Sequence, residues 1–468
     1  MAGEDTRSGG AAGSDDAGEF GYKQELRRTL GFWDLLIYGM VFMVPIAPMG
    51  IYGFVVQESH GLVPLVYGIG IVAMVFTALS YRAMSREFAI SGSVYSYVQR
   101  GLNPHIGFIP GWMILIDYIL VPALLYKFSA TWLHSVVPAV PLYAYVIAFI
   151  AVITAVNVLG VNVAARANFV LLAIELVVLA IFIAVAIDYV FVRGGGTGGF
   201  SALPFYRRQY MNAGFFATAT SLAVLSFLGF DAISTLAEET RRPRRNIGNA
   251  TVAALILLGL IFVLQTYLAG LVHPRSGGLN PALAFFQLGR EAGGPFLYYL
   301  LIGTNILAAG IANALVAQLA VARVIYSISR DRLLPASGVL GRINTRFQTP
   351  ANATIFVAVI SIVVAAVVGL ESISSFVNFG ALTSFMFLHV AVFWHFIIRR
   401  RRRDLRGVLA YGLLPAIGLA VIAYVWSGFP LLTFEFGLSW LVVGIAVGAW
   451  RSRGYRTVPA ALSTLEAE

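Results

Sequence analysis

Residues 43–50, MVPIAPMG, lie in the middle of the first long apolar run of the chain. Pro45 and Pro48 each lack a backbone N–H and clash with the preceding helical turn. A helix broken at this depth leaves backbone groups unpaired, which is costly in hydrocarbon, so the break must line a cavity or be buried in protein. The stretch therefore predicts a first transmembrane helix that is interrupted near its centre. The alternative is that the prolines only kink the helix, since proline is common in membrane helices.

The composition excludes an ordinary water-soluble fold. Of the 468 residues, 59% are hydrophobic and only 12% are charged, about half the charged share of a soluble protein. The mean hydropathy is +0.82. Apolar runs of about 20 residues recur, each long enough to cross a bilayer, which predicts an all-α polytopic membrane protein. The chain has no cysteine, so disulfides and cysteine metal sites are excluded.

About twelve transmembrane helices are predicted from the apolar runs. They lie near residues 32–56, 62–84, 106–130, 139–160, 168–192, 213–237, 248–272, 295–326, 350–369, 372–398, 408–426 and 429–450. Arg and Lys concentrate in one set of loops, and the positive-inside rule places these loops and both termini in the cytoplasm. This orientation, rather than a nucleic-acid partner, explains the net charge of +10. The arginine run at 399–403 is a topology anchor or, alternatively, a patch for membrane lipids.

No pattern in the chain indicates an enzyme. The segment GGGTGG at 194–199 fits a dinucleotide fingerprint by letters, but it follows a membrane span and opens no helix. Neither G-x-S-x-G nor a Walker A pattern occurs. Apart from His389 and His395, which would face different sides of a helix, the histidines show no metal-ligand spacing. We therefore expect no catalytic residue, no metal and no cofactor.

A second candidate break lies in the predicted sixth span, at residues 227–232, FLGFDA. It places the carboxylate of Asp231 close to Gly229 at a depth similar to that of the first break. Paired interruptions in corresponding spans of two halves are the best sequence indication of a transporter binding site. The two breaks together favour a secondary transporter.

Three long motifs resemble the amino acid–polyamine–organocation superfamily of secondary transporters. They are SREFAISGSVYSYVQRGLNPHIGFIPGW at 85–112, FLGFDAISTLAEETRRPRRNIGNA at 227–250 and VARVIYSISRDRLLP at 321–335. The likeness covers about residues 25–400. Within the superfamily, the stretches at 102–112, 116–122, 226–240 and 377–385 are most similar to bacterial putrescine importers.

The resemblance implies a core of two inverted repeats of five helices each, with helices 1 and 6 broken. The expected organisation is a transporter core at 25–400 with repeats at about 31–192 and 213–398, helices 11 and 12 at 401–450, and a cytoplasmic tail at 451–468. Residues 1–24 are rich in Gly, Ala, Ser and acidic residues without an apolar core, which predicts a disordered cytoplasmic tail.

The first break departs from the pattern of amino acid permeases in the superfamily. Those proteins usually carry a Gly-Ser/Thr-Gly-Ile type of break, whose free N–H groups at a half-helix N-terminus hold the substrate carboxylate. Here the break contains Pro45, Ile46, Ala47, Pro48, Met49 and Gly50, and the prolines remove two possible donors. The departure favours an amine without a carboxylate as substrate. The alternative is that the N–H groups of Ala47, Met49 and Gly50 still suffice for an amino acid.

Three carboxylates inside predicted spans are functional candidates, because ionisable groups in membrane helices are costly. Asp231 is the candidate for amine recognition, or alternatively for bracing the broken helix. Asp117 is placed by the resemblance on the span-three face of the site. Glu175 stands near where several proton-coupled relatives have a lysine. It is a candidate proton carrier together with Asp117, or a neutral hydrogen-bonded acid.

Aromatic and amide side chains complete the candidate site. Tyr118, Phe227 and Phe230 are predicted to enclose an ammonium by cation–π contacts, with ordinary packing as the alternative. Asn313, Gln318 and Asn378 either line the site or hydrogen-bond between helices. The sequence thus predicts a proton-coupled, or alternatively sodium-coupled, importer of a putrescine-like amine. An amino acid permease or exchanger and a transporter-like sensor are the alternatives.

Overall fold

The structure is a computed structural model that describes residues 28–89, 93–160, 165–275, 277–330, 337–344 and 346–451. The predicted tail at 1–24 and nearly all of the tail at 451–468 lie outside the described residues. Within these ranges the backbone is helical, and the only β pairing is a single bridge between Leu30 and Thr240. The predicted all-α class is therefore confirmed.

Seventeen α-helices follow one another along the described chain. They are α1 (Phe32–Met43), α2 (Ala47–Ser59), α3 (Val63–Glu87), α4 (Ser93–Gly101), α5 (Pro104–Val136), α6 (Leu142–Leu159), α7 (Ala165–Ile187), α8 (Ala213–Ala223), α9 (Pro243–Val272), α10 (Ala284–Asn305), α11 (Ala314–Arg330), α12 (Ser337–Leu340), α13 (Ala351–Val367), α14 (Leu370–Phe393), α15 (Leu405–Gly407), α16 (Leu414–Trp426) and α17 (Leu431–Arg451). Short 3₁₀ or π segments extend or join several of them.

The membrane spans follow the predicted pattern. Ten helical stretches of the described chain are long and apolar enough to cross a bilayer, and α1 with α2 forms a further span that is bent by 48°. The remaining predicted span is α13, whose 17 residues are close to the shortest length that crosses the hydrocarbon core. Large apolar side chains such as Val177, Leu260 and Val442 are more than half exposed, as expected for surfaces that face lipid.

The predicted eighth span lies inside a longer helical stretch, Ala284–Tyr326. Gly294, with φ 71° and ψ −166°, interrupts this stretch, and Pro295 restarts the helix. Ile306–Asn313 then forms a π-helical segment between α10 and α11. Segments of this kind are rare and are often found at functional sites.

The first break lies where the sequence predicts it. α1 ends at Met43, and Val44 adopts φ 55° and ψ 104°, a conformation that no helix continues through. The Ala47 N–H donates to the Val44 carbonyl at 2.9 Å, which closes a tight turn before α2 begins. A simple proline kink would keep helical dihedral angles on both sides, so that alternative is wrong.

The sixth span is broken at the predicted position as well. α8 tightens into a 3₁₀ segment at Val224–Phe227, Leu228 is extended, and Gly229 adopts φ 106° before a second 3₁₀ segment at Phe230–Glu239. A Cβ at Gly229 would stand 3.0 Å from the carbonyl oxygen of Phe42. The two breaks therefore touch each other, and the glycine allows the close approach.

Helix packing surrounds the breaks on all sides. α9 runs along α3 and contacts α1, whereas α5 contacts α6, α13 and α14. Glycines allow several of these contacts, and a Cβ at Gly39 would overlap the side chain of Ile233. The breaks are thus enclosed in protein, as the cost of unpaired backbone groups in lipid requires.

Candidate functional site

A cavity of ≈ 270 Å³ lies between the two breaks, α5 and the α10–α11 stretch. Seven of the predicted site residues line it. They are Ala47, Gly50, Asp117, Tyr118, Gly229, Asp231 and Asn313. The wall also contains Phe42, Met43 and Val44, where α1 ends.

The other predicted residues of the first break lie outside the cavity wall. Pro45, Ile46, Pro48 and Met49 shape the break rather than the cavity surface. Ile46 and Met49 are at most 2% exposed. Two of the three N–H groups proposed for binding a carboxylate are already used: Ala47 donates to Val44, and Met49 donates to the Ile46 carbonyl at 3.0 Å.

Phe227 and Phe230 point away from the cavity, and the structure does not bring them to the site. Both are 0% exposed. Phe227 packs against Tyr67 and Phe262, with ring centroids 5.9 and 5.3 Å apart. Phe230 meets Tyr81 edge-on at 5.6 Å. Adjacent residues of a 3₁₀ helix point about 120° apart, so Asp231 can line the cavity while Phe230 packs elsewhere.

Aromatic residues of α5 line the cavity in their place. Phe128 and Trp132 lie on the wall that carries Asp117 and Tyr118. The spacing of Asp117, Phe128 and Trp132 follows the helical period, which places them on one face. This periodicity is the sequence signal that could have identified both residues.

The cavity is closed at the α2 end. Trp132 is 2% exposed, stacks on Phe128 at 5.4 Å and meets Phe286 edge-on at 5.6 Å. Its Nε1 donates to the Ala282 carbonyl at 3.1 Å. A Cβ at Gly50 would stand 3.0 Å from the indole ring, so the glycine accommodates this closure. Elsewhere on the wall, Val316 has 36% of its surface accessible.

The charges in the cavity wall have one sign. Asp117 and Asp231 both line the cavity, and so does Tyr118, which follows Asp117 in the chain. None of the described residues that line the cavity is Lys, Arg or His. The cavity is therefore suited to a positively charged guest rather than to an anion.

Buried amides of α9 to α14 take different roles. Asn305, which the sequence analysis missed, lines the cavity and donates to the Leu301 carbonyl at 2.9 Å. Asn313 lines the cavity, which is one of the two roles predicted for it. Gln318 and Asn378 bond to other helices instead: Gln318 donates to Thr154 at 2.8 Å, and Asn378 donates to the Ser221 carbonyl at 2.7 Å.

Glu175 lies beside a second, smaller cavity of ≈ 20 Å³. The side chain is 6% exposed, and Oε2 has no hydrogen-bond partner among the described residues. The volume suffices for about one water molecule. Phe42, Ala308, Asn313 and Val316 line both cavities, so the cavity beside Glu175 adjoins the larger one. Asp117 does not line the smaller cavity.

Broken helices around a cavity that contains carboxylates, in an all-α membrane protein, are typical of secondary transporters. The chain belongs to the amino acid permease family, which matches residues 43–442. The family and the similar proteins are transporters and not enzymes.

Several permeases of bacteria are similar over nearly the whole chain. The low-affinity putrescine importer PlaP of Escherichia coli (strain K12) is 30% identical over 440 residues, covering 92% of this chain and 95% of its own length. The branched-chain amino acid permease BcaP of Bacillus subtilis (strain 168) is 25% identical, covering 91% and 93%. The methylthioribose transporter of the same organism is 24% identical, with the same coverage.

Proposed function

We propose that the protein imports a small organic amine, of the putrescine type, across the cytoplasmic membrane by alternating access. The observation that carries the proposal is the cavity wall, which has two carboxylates and, among the described residues, no cationic side chain. An ammonium group supplies the opposite charge and the hydrogen-bond donors that a carboxylate accepts. The similarity to a putrescine importer supports the same substrate class.

An amino acid is the alternative substrate, because branched-chain amino acid permeases are also similar to this chain. An amino acid needs donors or a cation for its carboxylate. The first break offers few of them, since the N–H groups of Ala47 and Met49 are used within the break and two positions are proline. An amine needs no such donors.

Glu175 and Asp117 are the candidate proton carriers, and both termini lie on the cytoplasmic side in this proposal. A proton on Glu175 would remove a buried, unpaired negative charge next to the first break, where Phe42 lines both cavities. Sodium is the alternative coupling ion.

Uptake of labelled putrescine into proteoliposomes with an inward proton gradient tests the substrate and the coupling together. Unlabelled diamines are expected to compete, whereas leucine and isoleucine are not, because a zwitterion would bring its carboxylate next to two others. A protonophore is expected to abolish accumulation. Competition by branched-chain amino acids alone would instead support the amino acid permease.

Replacing Glu175 by Gln is expected to lower gradient-driven accumulation at least about tenfold while leaving substrate counterflow within about twofold. Glutamine has a similar shape but cannot carry a proton through the cycle. The matched control is Glu435→Gln, since Glu435 is an exposed carboxylate on α17 away from both cavities. Unchanged accumulation in Glu175→Gln would mean that Glu175 is a neutral structural acid.

A further inference from the structure

Two buried amide side chains bond to the backbone of the two broken helices. Gln265 of α9 donates from Nε2 to the Pro45 carbonyl at 2.9 Å. Asn378 of α14 donates from Nδ2 to the Ser221 carbonyl at 2.7 Å and to the Leu222 carbonyl at 3.3 Å. Both side chains are 0% exposed. Each broken helix is therefore held by one amide from a different helix.

The carbonyls that these amides contact lie where the regular helix pattern stops. Pro45 lies two residues before α2 begins at Ala47, so its carbonyl is outside the regular hydrogen bonds of that helix. Ser221 and Leu222 belong to the last turn of α8, directly before the chain tightens into a 3₁₀ segment. The regular backbone bonding is interrupted at such positions, so a carbonyl there can accept from a side chain of another helix.

The same two side chains each leave one oxygen without a partner. Gln265 Oε1 and Asn378 Oδ1 are buried and have no hydrogen-bond partner among the described residues. By contrast, Gln318 is also 0% exposed but is satisfied at both ends. Its Oε1 accepts from Asn157 at 2.9 Å, and its Nε2 donates to Thr154 at 2.8 Å.

This contrast separates two kinds of buried amide. Gln318 joins α11 to α6 with every polar atom used, as expected for a residue that only holds two membrane helices together. In Gln265 and Asn378, the amide nitrogen donates to a backbone carbonyl at a break, while the amide oxygen stays unpaired, which is unfavourable. Both amides are therefore oriented toward the backbone of the breaks and not toward a polar side chain of a neighbouring helix.

We propose that Gln265 and Asn378 are positioning residues of the transport cycle, which hold the first and sixth spans in the conformation that buries Trp132 and leaves Ala320 partly exposed. They act through the backbone of the breaks and do not line the cavity. The proposal depends on the chain being a permease and not on the identity of its substrate.

The test measures conformation directly, without substrate. The chain contains no cysteine, so Ala320→Cys, at a partly exposed position of the cavity wall, gives a single reporter for labelling by a maleimide in detergent solution. In this reporter background, Gln265→Met and Asn378→Leu remove the amide while keeping similar volume. The matched control is Gln318→Met.

We expect labelling of the reporter to slow about threefold to tenfold in Gln265→Met and Asn378→Leu, because an unpaired break carbonyl disfavours the conformation in which Ala320 is partly exposed. We expect Gln318→Met to leave the labelling rate within about twofold, even if its melting temperature falls. Equal labelling in all three variants, or faster labelling in the first two, would overturn the proposal.

A second variant distinguishes a conformational effect on labelling from a folding defect. Gln265→Asn keeps the amide but is one methylene too short to reach the Pro45 carbonyl, and it is expected to slow labelling as Gln265→Met does. Labelling is measured on the monodisperse fraction, so loss of folded protein does not imitate a conformational change. Because no substrate is present, failure of the amine proposal would leave this result unaffected.

Discussion

Replacing Asp231 by Asn is expected to lower uptake of labelled putrescine about 10- to 100-fold at substrate concentrations below KM. Asp231 is 9% exposed and lines the cavity. A hydrogen bond to a charged group contributes about 1.5–3 kcal/mol when it is buried, and each 1.4 kcal/mol corresponds to a factor of ten in affinity. The measurement is the initial rate of uptake over a range of putrescine concentrations.

The kinetic parameters separate recognition from bracing. If Asp231 contacts the ammonium, Asp231→Asn raises KM more than it lowers the maximal rate. If Asp231 braces the broken helix, the maximal rate and the apparent melting temperature fall while KM changes little. The control is Asp188→Asn, which removes a surface ion pair with Arg193 at 2.8 Å and is expected to change uptake less than twofold. Normal uptake in Asp231→Asn would exclude this residue from amine recognition.

The membrane spans and both breaks could be predicted from the sequence because their causes are local. A run of apolar residues and a helix-breaking proline or glycine act within a few positions of the chain. The same local logic identified Asp117 and Asp231, since a carboxylate in a membrane span is unusual wherever it points. Long motifs added the family without any structural information.

The details of the cavity wall depend on how helices rotate against one another, which no single segment encodes. Phe230 follows Gly229 directly, yet the 3₁₀ geometry after the break turns it toward Tyr81 and away from the cavity. Trp132 is far from both breaks in sequence, yet it closes the cavity above Gly50. Proximity in sequence to a predicted site is therefore a weak guide to which side chains line it.

Replacing Gly229 by Ala is expected to lower both stability and transport more than any other single-methyl addition in the sixth span. A non-glycine residue at positive φ costs about 1–3 kcal/mol. The new Cβ would also stand 3.0 Å from the Phe42 carbonyl and 3.4 Å from the Phe42 Cβ, so it would push the two breaks apart. We expect a clear fall in apparent melting temperature and an uptake rate reduced at least about tenfold.

The matched control for this prediction is Gly68→Ala in α3. A Cβ at Gly68 meets no atom within 4 Å, and the backbone there is helical, so alanine is expected to be neutral or slightly stabilising. The contrast isolates backbone conformation and close approach from the simple addition of a methyl group. If Gly229→Ala were as stable and as active as Gly68→Ala, the two breaks would tolerate separation, and their contact would not be required for the cavity that carries the proposed function.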